Sequence, residues 1–491
     1  MKRRWFVVCA VLLMGWAVDS GHAQDRALAR QLDAVLEAAA PGALWGVLVV
    51  DAATGDTLYA RNAQARFVPA SNIKLFTTAA ALQVLPPDFR YETTLYSTGR
   101  VKDGVLHGDL YVRGSGDPSF GSQASGAPLH PLRTWAAALK AQGIRQVAGD
   151  VIGDDNVFTD ETLGRAWAWS DLLYYYAAET SGLSFYDNIV DLTVAGQQVH
   201  APGRLSWAPL QTDYVSFVNR SLTTAGTFDE DYARHGRGNR FVVRSKVPAG
   251  RVEREELAVR NATRYTAHVF REVLLSEGIS VQGRALDVDR LPQPPAYDTM
   301  QVVDRWPSPP LPALVREINH ESNNLYAEHL LRTVGRYVAS DTLEAPRGSD
   351  ARGIAVVEHA LRTLGVRPGA VRMADGSGLS RQNLATPAAF VTLLAAMRAA
   401  APPVQTAFFS SLPAGGRSGT LAYRLQAPMV AGNVRAKTGS LTGVSALSGY
   451  IERSSRAPIL FSILANHYTV DGSRVRAAQD ALLRRIAMAT Q

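Results

Sequence analysis

The chain has 491 residues, 46% hydrophobic and 19% charged, a composition that affords a large buried core and argues against disorder. A net charge of +7 is mild for this length and no dense basic run occurs, so nucleic-acid binding has little support. One cysteine, Cys9, is too few for an internal disulfide or a thiolate zinc site.

Lys2, Arg3 and Arg4 open the chain, and Trp5 to Val18 is an apolar run of 14 residues. A membrane span needs about 20, so residues 1–23 read as a secretory signal peptide. Gly21-His22-Ala23 sets the cut before Gln24. Cys9 falls inside that signal, leaving a mature chain without thiol chemistry and an expected periplasmic location. Leu44 to Val50 reads as a strand, Asp51 to Asp56 as a turn and Thr57 to Ala60 as a returning strand. Ser71 opens SNIKLFTTAAALQVL, a buried helix stopped by Pro86-Pro87. From Tyr91 the pattern alternates, giving a hairpin around Lys102-Asp103-Gly104. Residues 195–260 are short strands, and Thr263 to Glu277 is an amphipathic helix ended by Gly278. Leu291 to Pro312 is proline-rich and reads as a linker. Helices follow around Ile318 to Val334 and Pro387 to Ala400. Strands at Arg435 to Glu452 and Ile459 to Asn466 precede a last helix, Ser473 to Thr490, expected to pack on the sheet rather than on a membrane. The economical fold is α/β (α+β): one antiparallel sheet of N- and C-terminal strands flanked by helices, which brings Ser71 near Lys437.

Three strings carry chemistry. Ser71 and Lys74, three apart at a helix start, share one face. A lysine serves as base for a serine hydroxyl only when burial or another cation destabilises its ammonium, and Lys437 is available as that cation. Ser322 can pass a proton to a leaving amine, and Asn324 can bind Lys74 together with a substrate amide. Lys437-Thr438-Gly439 follows a strand whose edge can take up a peptide, with Lys437 and Thr438 suited to a terminal carboxylate. Only six lysines occur, and two stand in these strings. Ten histidines are scattered, and His320, His329 and His467 show no metal-ligand spacing. Trp167 and Trp169 read as packing residues of the middle segment.

In this order the strings match the serine, second-serine and Lys-Thr-Gly signature of enzymes acylated by penicillin. Further strings lie in the same order: Gly116-Asp117-Pro118-Ser119-Phe120, Gly153 to Phe158, Ser181 to Asn188, Asp375 to Arg381 and Ser418-Gly419-Thr420-Leu421. With them the chain resembles the low-molecular-mass class C penicillin-binding proteins, the D-alanyl-D-alanine carboxypeptidase/endopeptidases. The resemblance implies a transpeptidase/β-lactamase-like domain from residues 24–92 and 297–491. It implies two nested, mainly β insertions: 93–194 with 261–296, and 195–260 within them. Ser71 would be acylated, Lys74 would be the base, Ser322 and Asn324 would relay protons and position substrate, and Lys437 and Thr438 would bind the carboxylate. Ser71 and Ser440 would supply oxyanion-hole N–H groups, with Gly378 and Gly439 lining the site. Arg381 with Thr442 would hold the carboxylate of a diaminopimelate side chain, and Asp154, or its neighbour Asp155, its amino end. Gly182 and Tyr186 depart from the family pattern in the insertion. The substrate implied is peptidoglycan stem peptides and crosslinks, with β-lactams as covalent inhibitors and neither cofactor nor metal. A β-lactamase is the alternative enzyme, disfavoured by the 251 positions from Ser71 to Ser322. A non-catalytic peptidoglycan-binding scaffold is the alternative outside catalysis.

Overall fold

A computed structural model describes residues 19–338 and 346–490. Cys9 and the apolar run of the expected signal lie outside the described residues, which begin with a helix at Asp19–Ala39. The central sheet has five antiparallel strands in the order Thr57–Arg61, Leu44–Asp51, Arg456–Asn466, Val444–Arg453, Val434–Leu441. The register pairs Leu44 with Asn466 and Lys437 with Ser448, so the two ends of the chain form one sheet. Strand alternation sends Trp45, Val47 and Val49 to one face, where Asp19–Ala39 and Gly472–Ala489 cover them. Leu48 and Val50 pack on the other face with Ile73–Val84 and Pro387–Ala399. Phe76 and Phe390, from those two helices, stack at 4.6 Å. Burying one side chain of that size stabilises by roughly 1.5–3 kcal/mol. The Ser71 helix ends at Val84 because Leu85 is extended ahead of Pro86.

The inserted region differs from the expected elements in two places, the hairpin and the linker. The hairpin expected from Tyr91 is two-tiered. Glu92–Ser97 pairs with Leu110–Arg113, while Arg100–Lys102 and Val105–His107 turn at Asp103-Gly104 and join a separate sheet. The pinch is local: Thr98 N–H donates to Asp109 O at 2.9 Å, and Asp109 N–H donates back to Thr98 Oγ1 at 2.8 Å. The linker reading of Leu291 to Pro312 fails at Gln301–Pro307, a strand paired with Glu92–Ser97. It is an edge strand, where Pro307 costs no ladder bond inside the sheet. The expected boundary at 297 therefore cuts across that sheet's chain path. The boundary at 195 likewise divides a three-stranded sheet, because Ile189–Ala195 pairs with Val252–Ala258 and Arg204–Ala208. Both insertions also share one apolar cluster, in which Leu95, Trp135 and Phe270 are continuous with Phe241, Val243 and Val247.

Candidate active site

A short 3-10 turn, Ala70–Asn72, delivers Ser71 to the start of Ile73–Val84. One helical turn later, Lys74 Nζ lies 3.1 Å from Ser71 Oγ, 2.5 Å from Asn324 Oδ1 and 2.7 Å from the Ser377 carbonyl, donating to all three. Lys74 is wholly buried. Burial pushes its ammonium down to about 7, against the opposing pull of Glu328 and Asp375. The dominant cause is thus loss of water, the first of the two that the sequence reading allowed. Lys437 is equally buried and is held well below the ordinary lysine range, first by burial and then by Lys74. Its Nζ donates to Ser322 Oγ at 2.8 Å and to the Thr438 carbonyl at 3.0 Å.

Ser322 does not sit within a continuous helix. A π-turn, Glu317–Glu321, ends at Ser322 with φ 67°, and Asn324–Val338 begins just beyond it. Left-handed backbone costs a non-glycine residue roughly 1–2 kcal/mol, and Ala70, next to Ser71, is also left-handed at φ 47°. The break aims Ser322 at Lys437 and Asn324 at Lys74. Asn324 Nδ2 donates to the Tyr176 carbonyl at 2.7 Å, so one of its two amide hydrogens holds the inserted segment.

Two glycines press on the Ser71 turn. A Cβ on Gly378 (φ +87°) would lie 2.0 Å from the Ala70 oxygen and 2.9 Å from Ser71 N. A Cβ on Gly439 would lie 3.0 Å from Ser71 N. The Lys437 strand is laced to the serine turn by Asn72 Nδ2, which donates to the Lys437 carbonyl at 3.0 Å.

Above this floor lies a cleft of about 820 Å³. Ser71, Ser322, Asn324, Gly378, Arg381, Thr438, Gly439, Ser440 and Thr442 all line it, so nine of the expected residues meet on one surface, with Lys74 and Lys437 beneath. Arg381 donates to the Thr442 carbonyl at 2.6 Å, and Thr438 Oγ1 to Thr420 Oγ1 at 2.8 Å. Asp154 is the exception. It is buried, accepts from Tyr297 Oη and from Asn156 N–H, and is absent from the cleft lining. Asp155 is bound instead to Ser181 and Thr263. The acid that the insertion brings to the cleft is Asp171, together with Tyr175 and Tyr176. Sequence reasoning missed it because nothing near Asp171 resembles the three strings. Trp167 also departs from expectation: its Nε1 donates to Asp375 Oδ2 at 2.9 Å, tying the insertion to the catalytic floor. Trp169 is 87% exposed. His329 bridges the Gly116 carbonyl and Ser184 Oγ inside the protein.

The site thus sets a serine hydroxyl beside a water-stripped lysine, on an antiparallel sheet covered by helices. The chain belongs to the D-Ala-D-Ala carboxypeptidase 3 (S13) family, whose model matches residues 28–486. It is 34% identical over 484 residues to a D-alanyl-D-alanine carboxypeptidase of Actinomadura sp. (strain R39), covering 96% of this chain and 86% of that one. It is 31% identical over 431 residues to D-alanyl-D-alanine carboxypeptidase DacB of Haemophilus influenzae, covering 83% and 82%. The crystal structure of penicillin binding protein 4 (dacB) from Haemophilus influenzae superposes with a TM-score of 0.80 at 25% identity, covering 93% of this chain and 99% of that one.

Proposed function

We propose that this serine-type D-alanyl-D-alanine carboxypeptidase works through an ester on Ser71. The 3.1 Å contact from a buried Lys74 to Ser71 Oγ carries the reading. A lysine whose ammonium burial brings down to about 7 supplies a neutral amine at neutral pH and can take the serine proton as Oγ attacks the carbonyl between two D-alanines. Ser322, bonded to Lys437, lies on the path by which a proton reaches the departing amine. Backbone N–H groups of Ser71 and Ser440 face the developing oxyanion, and Thr438 with Lys437 receives the terminal carboxylate. Water then releases the acyl group. β-Lactams are captured at the same serine.

The cleft also suits a substrate side chain bearing both charges, with Arg381 for its carboxylate and Asp171, in place of Asp154, for its ammonium. Peptidoglycan stem peptides and crosslinks are such substrates, and their location makes the periplasm the site of action. Residues 92–307 form the inserted body on this reading, since strand pairing spans that range. Product analysis on purified crosslinked muropeptides, wild type against Ser71→Ala, tests the proposal. Free D-alanine and cleaved crosslinks from wild type alone are expected. D-alanine release that persists in Ser71→Ala would overturn it.

A further inference from the structure

Beneath Lys74 lies a buried carboxylate that the chemistry above leaves without a task. Glu328 stands four residues after Asn324 on Asn324–Val338, so both point to the same side of the helix. It is 1% exposed. Its Oε2 accepts the Gly376 N–H at 2.9 Å and its Oε1 the Ser377 N–H at 2.8 Å. The peptide after those two bonds presents the Ser377 carbonyl, which accepts Lys74 Nζ at 2.7 Å. The preceding carbonyl, of Gly376, accepts Thr77 Oγ1 from the nucleophile helix at 2.8 Å. A side chain on Gly376 would strike the Ala327 carbonyl at 2.9 Å, so the glycine is what lets this loop settle on the carboxylate.

We propose that Glu328 is a positioning residue for the general base, clamping the backbone that receives Lys74 and supplying an anionic charge that this lysine feels. The inference rests on Lys74 being the base. The groups acting on Glu328 are Lys74 from the nucleophile helix, Asp375 from the clamped loop and Asp350 from the next helix. Burial, with Asp375 and Asp350, raises its carboxyl above the usual range, whereas its two N–H donors favour the anion. A carboxylate leaves Lys74 easier to protonate, so its removal lowers the pH at which the lysine becomes neutral.

The test measures acylation by a fluorescent penicillin across pH in the full chain, for wild type, Glu328→Gln, Glu328→Asp and Lys74→Ala. Glu328→Gln is expected to slow acylation by at least about tenfold and to move its rising limb to lower pH. Glu328→Asp, which keeps the charge on a shorter stem, is expected to return the limb toward its wild-type position. A Gln variant with wild-type rate and profile overturns the proposal. So does one whose melting temperature falls while its pH limb stays in place, which marks a structural carboxylate. Normal acylation by Lys74→Ala would instead remove the underlying base assignment, and the two failures are thereby told apart.

Discussion

The cleft has a floor and a wall of opposite character. The floor is dry: Asn72, Lys74, Asp375, Ser377 and Lys437 are fully buried, and each is bonded to a neighbouring element. The wall, from Ala166 to Tyr176, is half-exposed and is tied down by the Trp167–Asp375 bond and by Asn324 on the Tyr176 carbonyl. Lys74 is brought toward a neutral amine chiefly by the exclusion of water, which penalises its charged form. Recognition of a charged substrate terminus has no such need and operates at a wet rim. On the function proposed above, burial depth therefore separates chemistry from selection in this cleft.

The sharpest break of that division is Ser71→Ala, expected to abolish labelling by a fluorescent penicillin and release of D-alanine alike, as read by gel fluorescence and product chromatography. Lys74→Ala comes next. Loss of a positioned base should slow acylation by about 10²–10⁴-fold, measured by stopped flow, with the fold retained by circular dichroism. In wild type the acylation rate should climb as pH rises through about 7, since only the neutral amine accepts the serine proton. A pH-independent rate between about 5.5 and about 8.5 would contradict a Lys74 base. At the wall the effect is smaller and selective. Asp171→Asn should cut kcat/KM by about tenfold, or ~1.4 kcal/mol, for stem peptides ending in a free side-chain ammonium, and leave penicillin acylation unchanged. Asp154→Asn should leave both activities at wild-type level and lower stability by about 1–2 kcal/mol, since the amide keeps one acceptor oxygen and loses the other of the pair that Tyr297 and Asn156 bond, read from denaturant melts.

The same division governed what the sequence could tell. Floor residues are coded at short range: Ser71 with Lys74 by one helical turn, Ser322 with Asn324 by a helix start, Lys437 with Gly439 by a strand. Each string keeps its meaning wherever the fold places it, so the central sheet and floor were readable from Leu44, Ser71 and the final strands. Glu328 was within reach as well, four residues beyond Asn324 on one helix. The wall is assembled by chain folding back from an insertion, and no local spacing distinguishes Asp171, which lines the cleft, from Asp154, which faces Tyr297. The strand Gln301–Pro307 was hidden for a related reason. Its partner lies some 200 residues away, and the surrounding prolines signal a loop unless the strand is known to be an edge.

The clamp of Gly378 and Gly439 on the Ser71 backbone has a consequence for how such a cleft can change. Any side chain at Gly378 must displace the Ala70–Ser71 peptide, and any at Gly439 must give ground against Ser71 N. Substitutions that alter which acyl donor is admitted are therefore closed off beside the nucleophile and open along the wall. Divergence in substrate or inhibitor choice among such proteins should accumulate in the segment around Asp171, while the glycine pair stays fixed.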